Sequence, residues 1–350
     1  MVPSRVLPSL LSLGLALFTA CGGGGGGPAG PGPVGSPSPV GGSTVQVIVF
    51  YDENADGSAQ IGEPVRVPNV EVTIGGRTAR SQTGTGVADV SNVPDGSHAV
   101  SVAASSLPPF YRPGAPVSLT TPLGQGSRIF VPVTLAIGSN RPNVYMAFGD
   151  SITSAEALPG DQRYPSVLEG KLAPHFSGAE VSNRGADGTN TFEARERIKR
   201  NLDLGSPAYT LILYGTNDWH DPLCQDDPRC HTVPNLRLVI QAVKDHGSLP
   251  MIATLTPVNP TLGPAGRNRW IQDVNDLIRP MAQQEGAFLV DLAKAFADRG
   301  GDPSRFFLGD VHLNREGAAV VAEAFFQAIA FGRTAPLASA QGSPRLLARP

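Results

Sequence analysis

Three short stretches of this 350-residue chain carry side chains whose types and spacing suit chemistry. The first is Gly149-Asp150-Ser151-Ile152-Thr153, which follows an apolar run at 144–148. Acyl transfer needs an activated hydroxyl, a base to take its proton and donors for the oxyanion. A serine at a strand-to-helix turn exposes its hydroxyl, and its own N–H near the helix start can help hold the oxyanion. His312, in Gly309-Asp310-Val311-His312-Leu313-Asn314, is the candidate base. The competing reading of Ser151 is a plain helix cap.

The second stretch is Asp52-Glu53-Asn54-Ala55-Asp56-Gly57-Ser58-Ala59-Gln60-Ile61-Gly62-Glu63. Oxygen-bearing side chains fall at loop positions one, three, five, seven and nine, glycine at six and glutamate at twelve, the pattern of a calcium loop. Ser58 and Gln60 are weak ligands, so a polar hairpin with no ion is the alternative. The third stretch holds Cys224 and Cys230, which read as a disulfide closing a short loop in an exported chain. Zinc is the competitor, because His220 and His231 flank the pair, but the spacing fits no standard zinc pattern.

The positioning elements change character along the chain. Residues 45–51, 70–74 and 99–102 are β-branched or alternating runs between Gly, Pro and Asp turns, which predicts a small all-β sandwich over 43–136. From 141 to 332, apolar runs at 144–148, 209–214, 251–255 and 287–292 read as buried parallel strands. A weaker candidate strand lies at 179–182. Amphipathic segments at 164–175, 191–202, 235–246, 269–285 and 314–330 read as helices, so a three-layer α/β fold follows. Ligands of such sheets sit beyond the carboxyl ends of the strands. The serine turn, Asn183-Arg184-Gly185-Ala186-Asp187-Gly188-Thr189-Asn190 and Gly215-Thr216-Asn217-Asp218 all fall there, and the histidine block precedes the last helix.

In that order these blocks resemble the SGNH hydrolase superfamily, the GDSL esterases and lipases, over residues 144 to about 330. The resemblance implies a flavodoxin-like three-layer domain with a central parallel sheet and a metal-independent serine esterase working through an acyl-enzyme. It also implies that Gly188 gives a backbone N–H and Asn217 its side-chain amide to the oxyanion hole. Gly188 can instead be a plain turn glycine, and Gly185 is read chiefly as one. Asp150, Asp187 and Asp218 are read as orienting residues, and His175, His246 and Trp270 as ordinary helix or surface positions. The family spaces its triad acid three residues before the histidine, whereas Gly309 occupies that position here and Asp310 lies only two before. Asp310 is the favoured acid, with a Ser–His pair or a more remote acid such as Asp302 as alternatives.

Residues 45–103 resemble the B-type repeats of bacterial surface proteins. This implies an immunoglobulin-like module with a structural calcium ion on Asp52, Asn54, Asp56, Ser58 and Glu63. No cofactor is expected for catalysis.

The N-terminal segment 1–21 has Arg5, an apolar run at 6–18, then Thr19-Ala20-Cys21, and it resembles a bacterial lipoprotein signal. A lipid on Cys21 would anchor the chain to a membrane from outside the cytoplasm. Residues 22–42 are almost wholly Gly, Pro, Ser and Ala and read as a tether, and 333–350 reads as a disordered tail. Net charge is −3 with no long run of one sign, which argues against a nucleic-acid partner. The expected substrates are acetylated carbohydrate or short acyl esters. Lysophospholipase- or thioesterase-like lipid hydrolysis, a non-catalytic surface adhesin and a transferase using the same residues are the alternatives. The insert at 219–231 is expected to form one rim of the pocket.

Overall fold

The computed structural model describes residues 42–333. The signal at 1–21 with Cys21, the 22–42 linker apart from its last residue, and the 333–350 tail apart from its first lie outside the described residues. No helix among the described residues is long and apolar enough to cross a membrane.

Short Val- and Ile-rich runs between turns form the first strands: β1 (Ser43–Tyr51), β2 (Glu71–Ile74), β3 (Arg77–Arg80), β4 (Val87–Val93), β5 (Gly96–Val102), β6 (Arg112–Pro113), β7 (Val117–Thr121) and β8 (Arg128–Thr134). They make two four-stranded sheets, ordered β4-β1-β8-β6 and β3-β2-β5-β7. β1 and β8 run parallel, and the other pairs are antiparallel. Val45, Val47 and Val49 of one sheet and Val72 and Ile74 of the other are buried, the inward half of a period-two alternation.

Beyond residue 140 the chain alternates strand and helix. β9 (Arg141–Gly149) leads into α1 (Ser151–Ser154) and α2 (Tyr164–Leu172). Next come β10 (Glu180–Gly185), α3 (Thr191–Gly205) and β11 (Pro207–Leu213). After β11 follow α4 (Pro222–Gln225), α5 (Thr232–Asp245), β12 (Leu249–Ala253) and α6 (Arg267–Glu285). β13 (Phe288–Val290), α7 (Leu292–Ala297) and α8 (Arg315–Phe331) complete the order. The sheet reads β10-β9-β11-β12-β13 and every pair is parallel. This is the 2-1-3-4-5 order whose switch point lies between the first and third strands. α3, α5 and α6 pack as one outer layer, and α2, α7 and α8 as the other. With both faces covered, β11 and β12 are buried along their whole length.

The β-rich part and the α/β part belong to one compact unit. An aromatic column joins them: Tyr51 meets Tyr111 edge to face at 6.0 Å, Phe110 meets Tyr209 at 6.1 Å, and Tyr209 stacks on Tyr145 at 5.0 Å. Burial pushes the Tyr111 and Tyr209 phenols well above their ordinary range.

Glycines at the carboxyl ends of β9 and β10 let α1 lie directly on the sheet. A Cβ at Gly185 would fall 2.0 Å from the Ser154 nitrogen, and one at Gly149 2.0 Å from Thr153 Oγ1. Gly185 is therefore required by close approach and not by a positive φ. Gly185→Ala is expected to cost about 1–3 kcal/mol of overpacking, or several degrees of Tm. Gly170→Ala, where a Cβ meets open space on α2, should leave Tm unchanged or raise it. Equal melting curves for the two variants would contradict this packing.

Candidate active site

Ser151 is the first residue of α1, and Asp150 caps that helix by accepting the Ile152 N–H at 2.9 Å. Asp150 is 1% exposed, and burial pushes its carboxyl up to about 7, partly offset by the hydrogen bond from the Ile152 N–H. The cap position and the capping side chain both belong to Asp150, so Ser151 is not the helix cap. The Ser151 hydroxyl is left for His312, whose Nε2 lies 3.0 Å from Ser151 Oγ. That distance is within the reach a general base needs.

The two other candidate donors stand in the loops that follow the adjacent strands. Gly149 pairs in register with Gly185 on one side and Leu213 on the other, so the loops after β10 and β11 start level with the serine turn. Gly188 has φ 71°, in the left-handed region that glycine adopts without strain. Asn217 lies in a turn of 3₁₀ helix just past β11, where its Nδ2 donates to the Thr189 carbonyl at 2.8 Å. Buried Asp218 ties the loops together, accepting from the Thr191 N–H at 2.9 Å and the Thr191 hydroxyl at 2.8 Å. Its carboxyl is raised by burial. Asp187 accepts a hydrogen bond from the Ser154 hydroxyl, closing the β10 loop onto α1.

Asp310 is placed differently. Its Oδ1 accepts the Val311 N–H at 2.8 Å, and it makes no hydrogen bond or ion pair with His312. Asp302, the more remote acid, is occupied by the Ser304 N–H and hydroxyl at 2.9 and 2.5 Å. The structure thus brings Ser151 and His312 together and leaves both acids off the ring. Asn259, 4% exposed, clasps the loop before the histidine: its N–H reaches the Asp310 carbonyl at 2.6 Å and its Nδ2 the Gly309 carbonyl at 2.9 Å.

Three residues around the site had no distinguishing sequence signal. Besides Asn259, these are Arg197, which donates to the Gly149 carbonyl at 3.1 Å and the Tyr214 hydroxyl at 2.8 Å, and Arg267, only 1% exposed. Arg267 donates to the Thr216 carbonyl at 2.9 Å. Burial lowers its guanidinium's pKa, while the charges of Asp310 and Asp150 act to raise it.

A pocket of about 110 Å³ surrounds Ser151 and His312 and includes Glu156, Leu158 and Asp187. Leu158 also walls an open basin of about 560 Å³. An apolar cavity of about 310 Å³, lined by Pro257, Ile271, Phe296 and Phe306 among others, contains neither Ser151 nor His312.

Cys224 and Cys230 are bonded, with an S–S distance of 2.08 Å. Both sulfurs of the zinc alternative are thus committed to each other, and of its two histidines only His231 lies beside them. Trp270, read as an ordinary helix position, pins this insert to α6: it is 3% exposed and its indole N–H donates to the Cys224 carbonyl at 2.6 Å. In the 52–63 loop, Asp52 accepts the Asp56 and Gly57 N–H groups, and Glu63 those of Glu53 and Gln60. Asp52 and Glu63 are 2% and 5% exposed and neither has an ion-pair partner among the described residues. The Asp52, Asp56 and Glu63 oxygens do not converge to within ligand distance of one another, while Asn54 and Ser58 lie exposed on the same loop.

The profile of the GDSL-like lipase/acylhydrolase family matches residues 147–320. Among characterised and uncharacterised relatives, the Bacillus subtilis (strain 168) lipoprotein YqeF is 25% identical over 181 residues, 45% of this chain and 73% of that one. An arylesterase of Vibrio mimicus is 29% identical over 114 residues, 33% of this chain and 55% of its own length. Among solved structures, an acetylxylan esterase of Geobacillus stearothermophilus is 19% identical with a TM-score of 0.46, covering 56% of this chain and 98% of that one. The strand-to-helix serine turn, the two candidate donor loops and the histidine block all fall within the segment of the α/β part that matches the GDSL-like lipase/acylhydrolase (SGNH) family, and these matches support a serine ester hydrolase.

Proposed function

We propose that Ser151 is the nucleophile and His312 the general base of a two-step hydrolysis of short acyl esters, with acetyl groups on carbohydrate the foremost substrate. The 3.0 Å contact between His312 Nε2 and Ser151 Oγ carries this reading. His312 takes the hydroxyl proton as Oγ attacks the ester carbonyl. The N–H groups of Ser151 and Gly188 and the Asn217 amide hold the oxyanion. His312 then returns the proton to the departing alcohol, leaving an acyl-serine. A water deprotonated by His312 attacks the acyl group, and the acid leaves as the proton returns to Ser151.

The placement of apolar space in the α/β part supports short acyl groups. The apolar cavity of about 310 Å³, the space suited to a long chain, contains neither Ser151 nor His312. Lysophospholipid cleavage is therefore the weaker reading. Asp310 is the proposed orienting acid, and it serves only if its carboxylate turns from the Val311 N–H to His312 Nδ1.

An extracytoplasmic lipoprotein is the proposed setting. It is supported by the 1–21 segment, by the Cys224–Cys230 bond, which suits an oxidising compartment, and by the lipoprotein relative. In the 52–63 loop, Asp52 and Glu63 are buried with N–H partners but no cationic side chain among the described residues, which suits a hard cation, and calcium held with Asn54, Asp56 and Ser58 would supply structural charge balance. On this reading calcium raises Tm more than equimolar magnesium does, and equal shifts by thermal denaturation count against the site.

Ser151→Ala should abolish both p-nitrophenyl acetate hydrolysis and labelling by a serine-directed organophosphate. Full activity in that variant defeats the mechanism. Asp310→Asn should lower kcat by at least about tenfold and up to about 10⁴-fold. Unchanged turnover leaves a Ser–His pair without Asp310.

A further inference from the structure

We propose that the cleft between residues 155–162 and 308–319 binds the alcohol half of the ester, and that this alcohol is uncharged and polyhydroxylated, as a sugar residue is. The inference rests on Ser151 and His312 being the reacting pair.

When the tetrahedral intermediate breaks down, the C–O bond to the alcohol is cleaved and its oxygen takes the proton from His312. The alcohol must therefore lie on the His312 side, and the oxyanion on the side of Gly188 and Asn217. The pocket that contains Ser151 and His312 takes in Glu156 and Leu158 and does not include Gly188 or Asn217. Leu158 is its common wall with the open basin, where Gln162, Leu308, Arg315 and Glu316 stand. The two spaces together make one track leading away from the leaving-group side of the serine.

The lining of that track matches a sugar. Leu158 and Leu308, the latter 54% exposed, offer an apolar surface for the C–H face of a pyranose ring. Around them the Gln162 amide, the Arg315 guanidinium and the Glu156 carboxylate make no side-chain hydrogen bond or ion pair with the described residues, so both donors and acceptors are free for hydroxyls. Glu316 is shared with Arg305 at 3.4 Å. Glu156 and Asp187 line the inner pocket and Arg315 the basin, so carboxylates outnumber the free guanidinium along the track, a balance that disfavours a phosphate and suits a neutral polyol.

The test compares kcat/KM for a partially acetylated cellobiose with that for p-nitrophenyl acetate in Gln162→Ala, in Arg315→Ala and in their double variant. Arg128→Ala on β8 is the reference. Each single variant should lower the ratio of the two values about three- to tenfold, the size of one or two lost hydrogen bonds, mainly through KM on the sugar ester. The double variant should lower it further and the reference should leave it unchanged. A ratio unaffected in all variants overturns the subsite. So does a loss seen on lysophosphatidylcholine and not on the sugar ester, which would mean that the cleft receives a phosphate. Retained activity in Ser151→Ala instead strikes the reading beneath, so the two failures are distinguishable.

Discussion

α1 lies so close to the ends of β9 and β10 that neither Gly149 nor Gly185 has room for a Cβ, and the remainder of the site is organised by that contact. The serine turn cannot shift along the sheet without colliding with the next strand. Asp150, carried into the same narrow space, is nearly inaccessible, and its raised carboxyl reflects the cost of holding a charge there. The Thr153 hydroxyl and the Tyr164 phenol share a hydrogen bond at 3.1 Å, and Asn183 donates to the Thr153 carbonyl at 3.0 Å, so the short helix is fixed from α2 and from β10 as well. A four-residue helix has little stability of its own. Its position is imposed by tertiary contacts, which is what a nucleophile that must be held for attack requires.

The groups facing Ser151 are set by a second layer of hydrogen bonds. Asp218 and Thr191 hold the Asn217 turn against the loop that carries Gly188, and Asn259 grips two successive carbonyls just before the histidine. Arg267 adds a buried positive charge among Thr216, Asp150 and Asp310. The site therefore contains buried carboxylates and a buried guanidinium within a few loops. Those hydrogen bonds hold the loops on either side of the 3.0 Å serine–histidine approach.

The strand–helix alternation was legible because strands buried on both faces read as plain apolar runs, and β11 and β12 are buried throughout. The pairing of Ser151 with His312 was legible because a serine at a strand end needs a base, and the histidine block stands just before the last helix in the order of blocks that the chain shares with the SGNH pattern. The direction of the Asp310 carboxylate was not, since its choice between the Val311 N–H and the histidine ring depends on loop backbone angles and not on residue type. The need for Gly185 was hidden for a related reason: close approach of a distant helix leaves no local mark. Arg197, Arg267 and Asn259 look like ordinary polar positions until the neighbouring loops close over them. In the 52–63 loop the ligand pattern was plain in sequence, whereas the pairing of Asp52 and Glu63 with the loop's own N–H groups was not.

In the proposed reaction Ser151 carries the acyl group between two half-reactions. Rapid acid quench during turnover of a slowly deacylated ester, followed by intact-mass and peptide mass spectrometry, tests it most directly. The expected result is a gain of one acyl mass confined to the peptide containing Ser151, absent in Ser151→Ala and accumulating when His312 is replaced only to the extent that acylation still occurs. An acyl group found on another residue, or turnover in Ser151→Ala at the rate of the unaltered protein, would contradict the account.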